Sequence, residues 1–211
     1  MARHQIVVTC LTHNHLHDAT IINGSLKLHT RAASKGTFSE NLEITSRGDT
    51  PLGNPFTAAQ MRERVSKLRK KLPSHWPNLR VYLRGHGGFQ QQTLGGLGPA
   101  AWVNALRELG ISEVGVYSVT GCRLARDSGS TAESPLLDVA NSFASNFHRL
   151  LPDKRDVFAR TEYLGVLEDG RKRTSPTIAP EPTNFRSKAP RSKVRFTWGK
   201  NGDQERHLVY E

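Results

Sequence analysis

Two glycine-containing segments carry the side chains of this chain that are best suited to chemistry. One reads RGHGG over residues 84–88 and contains His86, and the other reads SVTGC over residues 118–122 and ends in Cys122. A cysteine thiolate is a strong nucleophile, and a neighbouring imidazole can accept the thiol proton or protonate a leaving amine. The pair therefore predicts nucleophilic catalysis by a Cys–His dyad, provided that the fold brings the two side chains together.

The elements around these segments predict that they meet. Each segment follows an apolar run rich in β-branched and aromatic residues, LRVYL over 79–83 and VGVYSV over 114–119, and both runs are typical of strands. Between them, the stretch 99–109 has an apolar stripe and stops at Gly110, which indicates a helix. Strand, helix and strand form a right-handed crossover, which places both strand ends at one edge of a parallel sheet.

Glycines beside both residues leave room for a substrate backbone. The amide groups of Gly87 and Cys122 are candidates for an oxyanion hole, a set of N–H donors that stabilises negative charge on a carbonyl oxygen. A purely structural role is the competing interpretation. A cysteine after a strand is commonly a small buried hydrophobe, and a histidine before glycine is commonly a turn residue.

The order of strand, Gly-His-Gly, helix, strand and Gly-Cys resembles that of the clan CD cysteine peptidases, the caspase-like group. Within it, the chain is most similar to the self-cleaving cysteine protease domain of the RTX and large clostridial toxins. The resemblance covers about residues 79–198, whereas the first 78 residues share only an opening strand. It is carried by LRGHG over 83–87, VTGCRL over 119–124, EDGRKRT over 168–174, Lys188, and KVRFTW over 193–198.

This resemblance implies that His86 and Cys122 are the catalytic pair of an endopeptidase that cleaves after a leucine held in an apolar pocket. It leaves open whether the substrate is the chain itself or a host protein. It also implies a toxin-like effector, secreted or translocated by a bacterium and acting in the host cytosol. The chain shows no signal peptide at its N-terminus and no run of membrane-spanning length.

The resemblance further implies allosteric activation by inositol hexakisphosphate, a polyanion of eukaryotic cytosol, bound in a basic pocket away from the active site. In the family, a flap links this pocket to the catalytic site, and Phe185 stands where a relative carries Trp. The residues assigned to the pocket are Arg171, Lys172, Lys188 and Lys193, with Lys27, His29 and Arg31 as further candidates from the N-terminal part.

The charge of the chain independently favours an anionic partner. Thirty Lys and Arg against nineteen Asp and Glu give a net charge of +11, and nine basic residues between 171 and 200 face only Glu181. A non-catalytic module that binds polyanions or nucleic acid is therefore the alternative function. A second basic run, over 62–71, lies on a predicted helix with a Thr57–Gln60 capping box. No zinc-finger, RRM or KH signature supports nucleic acid.

A weaker alternative is a metal-dependent hydrolase that uses His13, His15 and His17. Alternate histidines in an extended segment point to one side and can bind Zn²⁺ or Ni²⁺. The HNHLHD segment nevertheless reverses the last two letters of the HxHxDH metal signature, and no further ligands follow in a matching pattern. We therefore expect no metal. The resemblance implies inositol hexakisphosphate as an activator, not as a catalytic cofactor.

The order of elements predicts one α/β domain over residues 1–211, with a caspase-like, mainly parallel mixed sheet between helices and a C-terminal β-hairpin flap. The catalytic core covers about 76–168 and the basic flap region about 169–200. The chain has two cysteines; Cys10, in the apolar run IVVTCL, is predicted to pack in the core, and both thiols are predicted to be reduced. Further predictions are a loop over 36–54 with a short strand near 42–45, a helix that opens at Ser134-Pro135, strands within 157–167, 194–198 and 208–210, and a Pro-rich arm over 174–190.

Overall fold

Strands and helices alternate along most of the chain. A computed structural model of the protein describes residues 4–12, 19–47, 49, 54, 56–88, 90–128, 139–175 and 192–209. The helices are α1 (Ala19–Ser34), α2 (Ala58–Lys71), α3 (Pro99–Glu108) and α4 (Phe143–Leu150). The strands are β1 (Gln5–Leu11), β2 (Ser39–Thr45), β3 (Arg80–Arg84), β4 (Gly87–Gly88), β5 (Thr93–Leu94), β6 (Val116–Thr120), β7 (Asp156–Arg160), β8 (Tyr163–Val166), β9 (Lys172–Ser175), β10 (Lys193–Trp198) and β11 (Gln204–Val209).

Seven strands form one sheet in the order β11-β10-β7-β6-β3-β1-β2. The five strands from β7 to β2 run parallel to one another, while β10 and β11 form an antiparallel hairpin at the C-terminal edge. Two short antiparallel pairs, β4–β5 and β8–β9, lie outside this sheet. The predicted α/β class, with a mainly parallel mixed sheet and a C-terminal hairpin, is confirmed.

Alternation along the strands gives the sheet two different faces. One face carries apolar side chains such as Val8, Leu83 and Val119, and these pack with the buried sides of α2, α3 and α4 in the main core. The other face is largely polar, and α1 covers only part of it through a small cluster of Val7, Leu28 and Tyr82. Long basic side chains occupy the rest of this polar face.

Helix α3 fixes the loop that follows the His86 segment. Pro99 occupies the first turn, as predicted, and Gly110 ends the helix with a φ of 76°, a conformation that favours glycine. Trp102 is fully buried, and its Nε1 donates a hydrogen bond of 2.8 Å to the carbonyl oxygen of Leu94. The helix thereby holds the β5 strand in position beside Gly87.

The structure confirms several sequence predictions and shows one strand that is longer than predicted. Helix α2 begins at the predicted capping box of Thr57 and Gln60, and its apolar stripe is buried apart from a half-buried Leu72. Strand β2 has seven residues where a short strand inside a loop was expected, because its ladder with β1 extends over its full length. Cys10 is fully buried, as predicted.

The structure adds one helix that the sequence did not predict. Helix α1 was not predicted, since its sequence includes Thr, Ile, Asn, Gly and Ser, which are weak helix formers, and tertiary packing of Ile21 and Leu28 decides its conformation. The predicted helix start at Ser134-Pro135 lies outside the described residues; within them, α4 begins at Phe143, where the Ser142 hydroxyl caps it by accepting from the Ser145 amide. Among the described residues, no helix is long and apolar enough to cross a bilayer.

Helix α4 carries a buried histidine that predicts acid sensitivity. Burial lowers the pKa of His148 to about 4; Arg149 adds to this effect and Asp156 opposes it. The unfolded chain therefore binds more protons than the folded one between about pH 6.5 and pH 4. The free energy of unfolding should fall by about 1.4 kcal/mol per pH unit as the pH drops through this window.

Chemical denaturation at several pH values measures this effect. In the His148→Gln variant, the slope of unfolding free energy against pH between 4 and 6.5 should be clearly smaller than in the wild type. Equal slopes would show that other groups control acid unfolding.

Candidate functional site

The segments that contain His86 and Cys122 lie side by side at one edge of the sheet. Strands β3 and β6 pair in parallel, with Arg84 opposite Thr120 at their carboxyl ends. His86 and Cys122 each follow two residues later, so the chain brings both residues to the same edge. The crossover through α3 thus produces the neighbourhood that the sequence predicts.

Gly87 lies directly against the backbone of Cys122. A Cβ atom at position 87 would be 2.5 Å from the Cys122 amide nitrogen and would also overlap its carbonyl oxygen. This close contact requires glycine, because no side chain fits between the two segments. The two amides predicted to form an oxyanion hole are therefore adjacent in space.

The backbone around His86 is held by Gly95, which directly follows β5. The carbonyl oxygen of His86 accepts a hydrogen bond of 2.8 Å from the amide of Gly95, which has a φ of 60°. Gly85 also packs closely on Gly95, since a Cβ atom at position 85 would be 2.7 Å from its nitrogen. The His86 residue itself is exposed. Its imidazole is therefore open to a substrate.

Cys122 is half-buried beneath the β8–β9 hairpin. Its Sγ lies 4.0 Å from the carbonyl oxygen of Leu164 in β8. Burial raises the pKa of the Cys122 thiol, while the positive charges of Arg84 and Arg123 act in the opposite direction. The covered thiol is thus favoured over the thiolate in this arrangement, and uncovering it or adding positive charge would activate it.

A basic cavity of about 420 Å³ opens between α1, the polar sheet face and β9. Its lining comes from the last turn of α1, from β1, β3 and β7, and from the turn that leads into β9. The basic residues of this cavity, here called the basic pocket, are Arg31, Lys35, Arg80, Arg160, Arg171, Lys172 and Arg173. Seven cations around one cavity repel one another, so an anion inside would relieve strong repulsion.

Lys172 lies at the centre of this charge. Its Nζ is 4.4 Å from the ring centroid of Tyr82 and donates a hydrogen bond of 3.4 Å to the Ser118 hydroxyl. Burial lowers the pKa of Lys172 well below its ordinary value, and the neighbouring charges, led by Arg80 and Arg160, lower it further. A lysine in these surroundings gains most from a bound anion.

The structure sorts the predicted pocket residues into three groups. Arg31, Arg171 and Lys172 line the basic pocket, and Lys193 lines an adjoining cavity of about 80 Å³ that shares Lys172 with it. Lys27 does not line the pocket; its Nζ forms an ion pair of 2.5 Å with Glu168. Lys188 and Phe185 lie outside the described residues.

His29 does not line the basic pocket in this structure. His29 lines a different cavity of about 290 Å³, beside Glu40 and Arg64, because its place on α1 turns it toward strand β2. The sequence prediction also missed four pocket residues, namely Lys35, Arg80, Arg160 and Arg173. Arg80 could have been found, since the alternation in RVYLR places its basic residues and Tyr82 on one face of the strand.

The β8–β9 hairpin joins the basic pocket to Cys122. Lys172 in β9 pairs with Val166 in β8, two residues after the Leu164 carbonyl that contacts the thiol. The same hairpin is tied to the cysteine loop, where the Arg123 amide donates a hydrogen bond of 3.1 Å to the Glu162 carbonyl oxygen. A ligand that moves Lys172 would therefore act on a strand pair that contacts the Cys122 thiol.

The metal alternative gains no support from the described part of the chain. No group of three His, Cys, Asp or Glu side chains with metal-binding geometry occurs among the described residues. His13, His15 and His17, on which that alternative depends, lie outside them.

Comparison with protein-family models found no match, and a search of curated proteins found no significant sequence similarity. The resemblance to clan CD peptidases therefore still rests on the residues quoted above and on the site they form.

The contact between Gly87 and Cys122 can be tested by adding a single methyl group. Gly87→Ala should lower the free energy of unfolding by about 1–3 kcal/mol, because the methyl would overlap the Cys122 backbone. Wild-type stability of Gly87→Ala would contradict the close packing of the two segments.

Proposed function

We propose that this chain is a caspase-like cysteine endopeptidase, with Cys122 as nucleophile and His86 as general acid and base. The observation that carries the proposal is the contact of Gly87 with the Cys122 backbone at the end of β6. This contact unites a thiol, an imidazole-bearing loop and two adjacent amides at one sheet edge. No third, acidic member of the site is assigned.

The chemistry follows from these positions. The Cys122 thiolate attacks a peptide carbonyl, and the amides of Gly87 and Cys122 stabilise the negative charge on its oxygen. His86 protonates the leaving amine, and water then hydrolyses the acyl-enzyme. We propose leucine before the cleaved bond, in the chain itself or in a host protein, as the resemblance implies.

The basic pocket supports activation by a compact polyanion, and we propose inositol hexakisphosphate. Several Lys and Arg converging on a cavity provide charge-assisted hydrogen bonds for phosphate groups. The ligand would favour the hairpin position that satisfies Lys172 and would thereby change the cover over Cys122. This ligand suits a bacterial effector that is translocated into a eukaryotic host and acts in its cytosol.

A non-catalytic polyanion-binding module is the second candidate. The basic pocket alone would support it, since seven cations line the cavity whether or not Cys122 reacts. The cavity is concave and bounded by α1 and β9, which favours a compact anion over a nucleic-acid duplex.

Loss of either dyad member should abolish proteolysis. With proteome-derived peptides and inositol hexakisphosphate, the wild-type protein should generate new termini after leucine, detected by mass spectrometry. Cys122→Ala should lower the cleavage rate by more than about a thousandfold, and His86→Ala by a large factor as well.

Cys10→Ala is the matched control, because it removes the other thiol from a fully buried core position. This variant should retain cleavage at the wild-type sites. Undiminished cleavage by Cys122→Ala would overturn the mechanism. Absence of cleavage by the wild type, combined with tight anion binding, would favour the binding module.

Charge removal at Lys172 tests the anion pocket. Lys172→Met should weaken inositol hexakisphosphate binding by about tenfold or more in isothermal titration calorimetry, because one charge-assisted contact is lost. Lys70→Met is the control, since Lys70 is exposed on α2 outside the pocket. Equal affinity of wild type and Lys172→Met would contradict the assignment.

The same titration has a defined pH dependence. A bound anion favours the ammonium form of Lys172, whose pKa is lowered in the free protein, so binding takes up a proton and affinity falls as pH rises. Inositol hexakissulfate, which does not titrate near neutral pH, isolates the proton taken up by the protein. Titrations in two buffers of different ionisation enthalpy measure this proton, and Lys172→Met should reduce it.

A further inference from the structure

Arg84, at the end of β3, is a buried guanidinium that the assignments above do not use. Only 5% of the residue is exposed, a degree of burial that is rare for arginine without an acidic partner. Among the described residues, no carboxylate forms an ion pair with it. Burying a positive charge is unfavourable unless a nearby anion and hydrogen-bond acceptors compensate it.

Helix α1 holds this guanidinium in one position. The Nε atom of Arg84 donates a hydrogen bond of 3.0 Å to the Ser25 hydroxyl, and Nη2 donates a longer one of 3.5 Å to the Ile21 carbonyl oxygen. Gly24 of the same helix turn leaves the space that the guanidinium fills, since a Cβ there would be 3.1 Å from Cζ and would overlap Nη2. The helix therefore fixes the charge rather than neutralising it.

The fixed charge lies in the layer that covers Cys122. A Cβ atom at Gly24 would also be 3.5 Å from the Cβ of Val166 in β8, so the guanidinium reaches the boundary between α1 and the β8–β9 hairpin. Two residues earlier in β8, the Leu164 carbonyl contacts the Cys122 Sγ. Arg84 and Cys122 are also linked through the ladder, because Arg84 pairs with Thr120, two residues before the cysteine.

The charges around the thiol come from several elements. Arg84 of β3 and Arg123, next to Cys122 itself, both act on the cysteine, and His86 lies in the adjoining loop. Lys172 of β9 is close enough to Arg84 for their charges to repel each other. Burial lowers the pKa of Arg84 to about 10, so the guanidinium remains charged at neutral pH, and the interaction with Cys122 opposes this lowering.

We propose that Arg84 is a positioning residue for the nucleophile: its guanidinium, fixed by Ser25 and Ile21 of α1, supplies the positive charge that stabilises the Cys122 thiolate. This inference rests on the proposed function, in which Cys122 is the nucleophile. The interaction itself concerns only the ionisation of the Cys122 thiol. When Cys122 ionises, its thiolate gives the buried guanidinium an anionic partner, which it lacks among the described residues.

A purely structural role for Arg84 and a role in the ionisation of Cys122 predict different effects of removing the Arg84 side chain. The Ser25 hydroxyl has a second partner, since it donates a hydrogen bond of 3.0 Å to the Ile21 carbonyl oxygen, so both acceptors of Arg84 stay bonded without it. Replacement of a buried, unpaired charge by an apolar side chain of similar volume is often neutral or stabilising. Arg84→Met should therefore retain the fold while the thiol becomes harder to ionise.

The test is the pH dependence of Cys122 alkylation in the full-length protein. The rate of iodoacetamide labelling is followed at several pH values by mass spectrometry of the Cys122 peptide, which separates this thiol from Cys10. Arg84→Met should shift the labelling midpoint upward by about one pH unit or more, equivalent to about tenfold slower labelling near neutral pH. Arg84→Lys should restore part of the shift.

Arg107→Met is the matched control, because Arg107 is exposed on α3 and its removal changes the net charge equally. This variant should titrate like the wild type. A wild-type midpoint in folded Arg84→Met would overturn the proposal, and so would an equal shift in Arg107→Met. If Arg84→Met does not fold, Gly24→Ala moves the guanidinium without removing it, and an unchanged midpoint there would contradict the proposal too.

Failure of this proposal and failure of the proposed function give different results. An Arg84-dependent midpoint in a protein that cleaves no peptide would support the ion pair and reject the peptidase. An unchanged midpoint in Arg84→Met, together with Cys122-dependent cleavage, would reject the ion pair and retain the peptidase.

Discussion

The parallel pairing of β3 with β6 is the constraint on which the rest of the site depends. This pairing delivers His86 and Cys122 to one sheet edge and presses Gly87 against the cysteine backbone. The α3 crossover makes the pairing parallel, and Trp102 anchors the intervening loop. Two chain segments that are distant in sequence thus meet with no side chain between them, leaving adjacent amides beside the thiol.

The two faces of the sheet differ in composition: one buries the main core and the other carries the basic pocket. The apolar face, covered by α2, α3 and α4, buries the main core and holds the strand ends in place. The polar face carries the basic pocket, and the β8–β9 hairpin extends from that pocket to the Cys122 thiol. Positive charges gathered on one face repel one another in the absence of an anion. An anion that binds there relieves this repulsion, and the free energy gained can favour a different position of the hairpin. Arg84 applies the same principle to Cys122, because its buried positive charge favours the ionised form of the thiol.

The sequence predicted the parts of this account that depend on local pattern. Apolar runs ended by glycine located β3 and β6, the capping box located α2, and Pro99 with Gly110 bounded α3. Helix α1 escaped prediction because its residues favour a helix only once packed on the sheet, and His29 was misplaced because its direction depends on that packing. The contribution of Arg160 to the basic pocket arises from the pairing of β7 with β6 in the sheet, which no single segment reveals.

The central claim is that Cys122 is an anion-switched nucleophile, and active-site labelling tests it most directly. A leucine-bearing acyloxymethyl ketone should label Cys122 strongly in the presence of inositol hexakisphosphate and weakly in its absence, with the labelled residue identified by mass spectrometry. Equal labelling in both conditions would retain the nucleophile and remove the activator. No labelling in either condition would contradict the account and leave the chain as a polyanion-binding module.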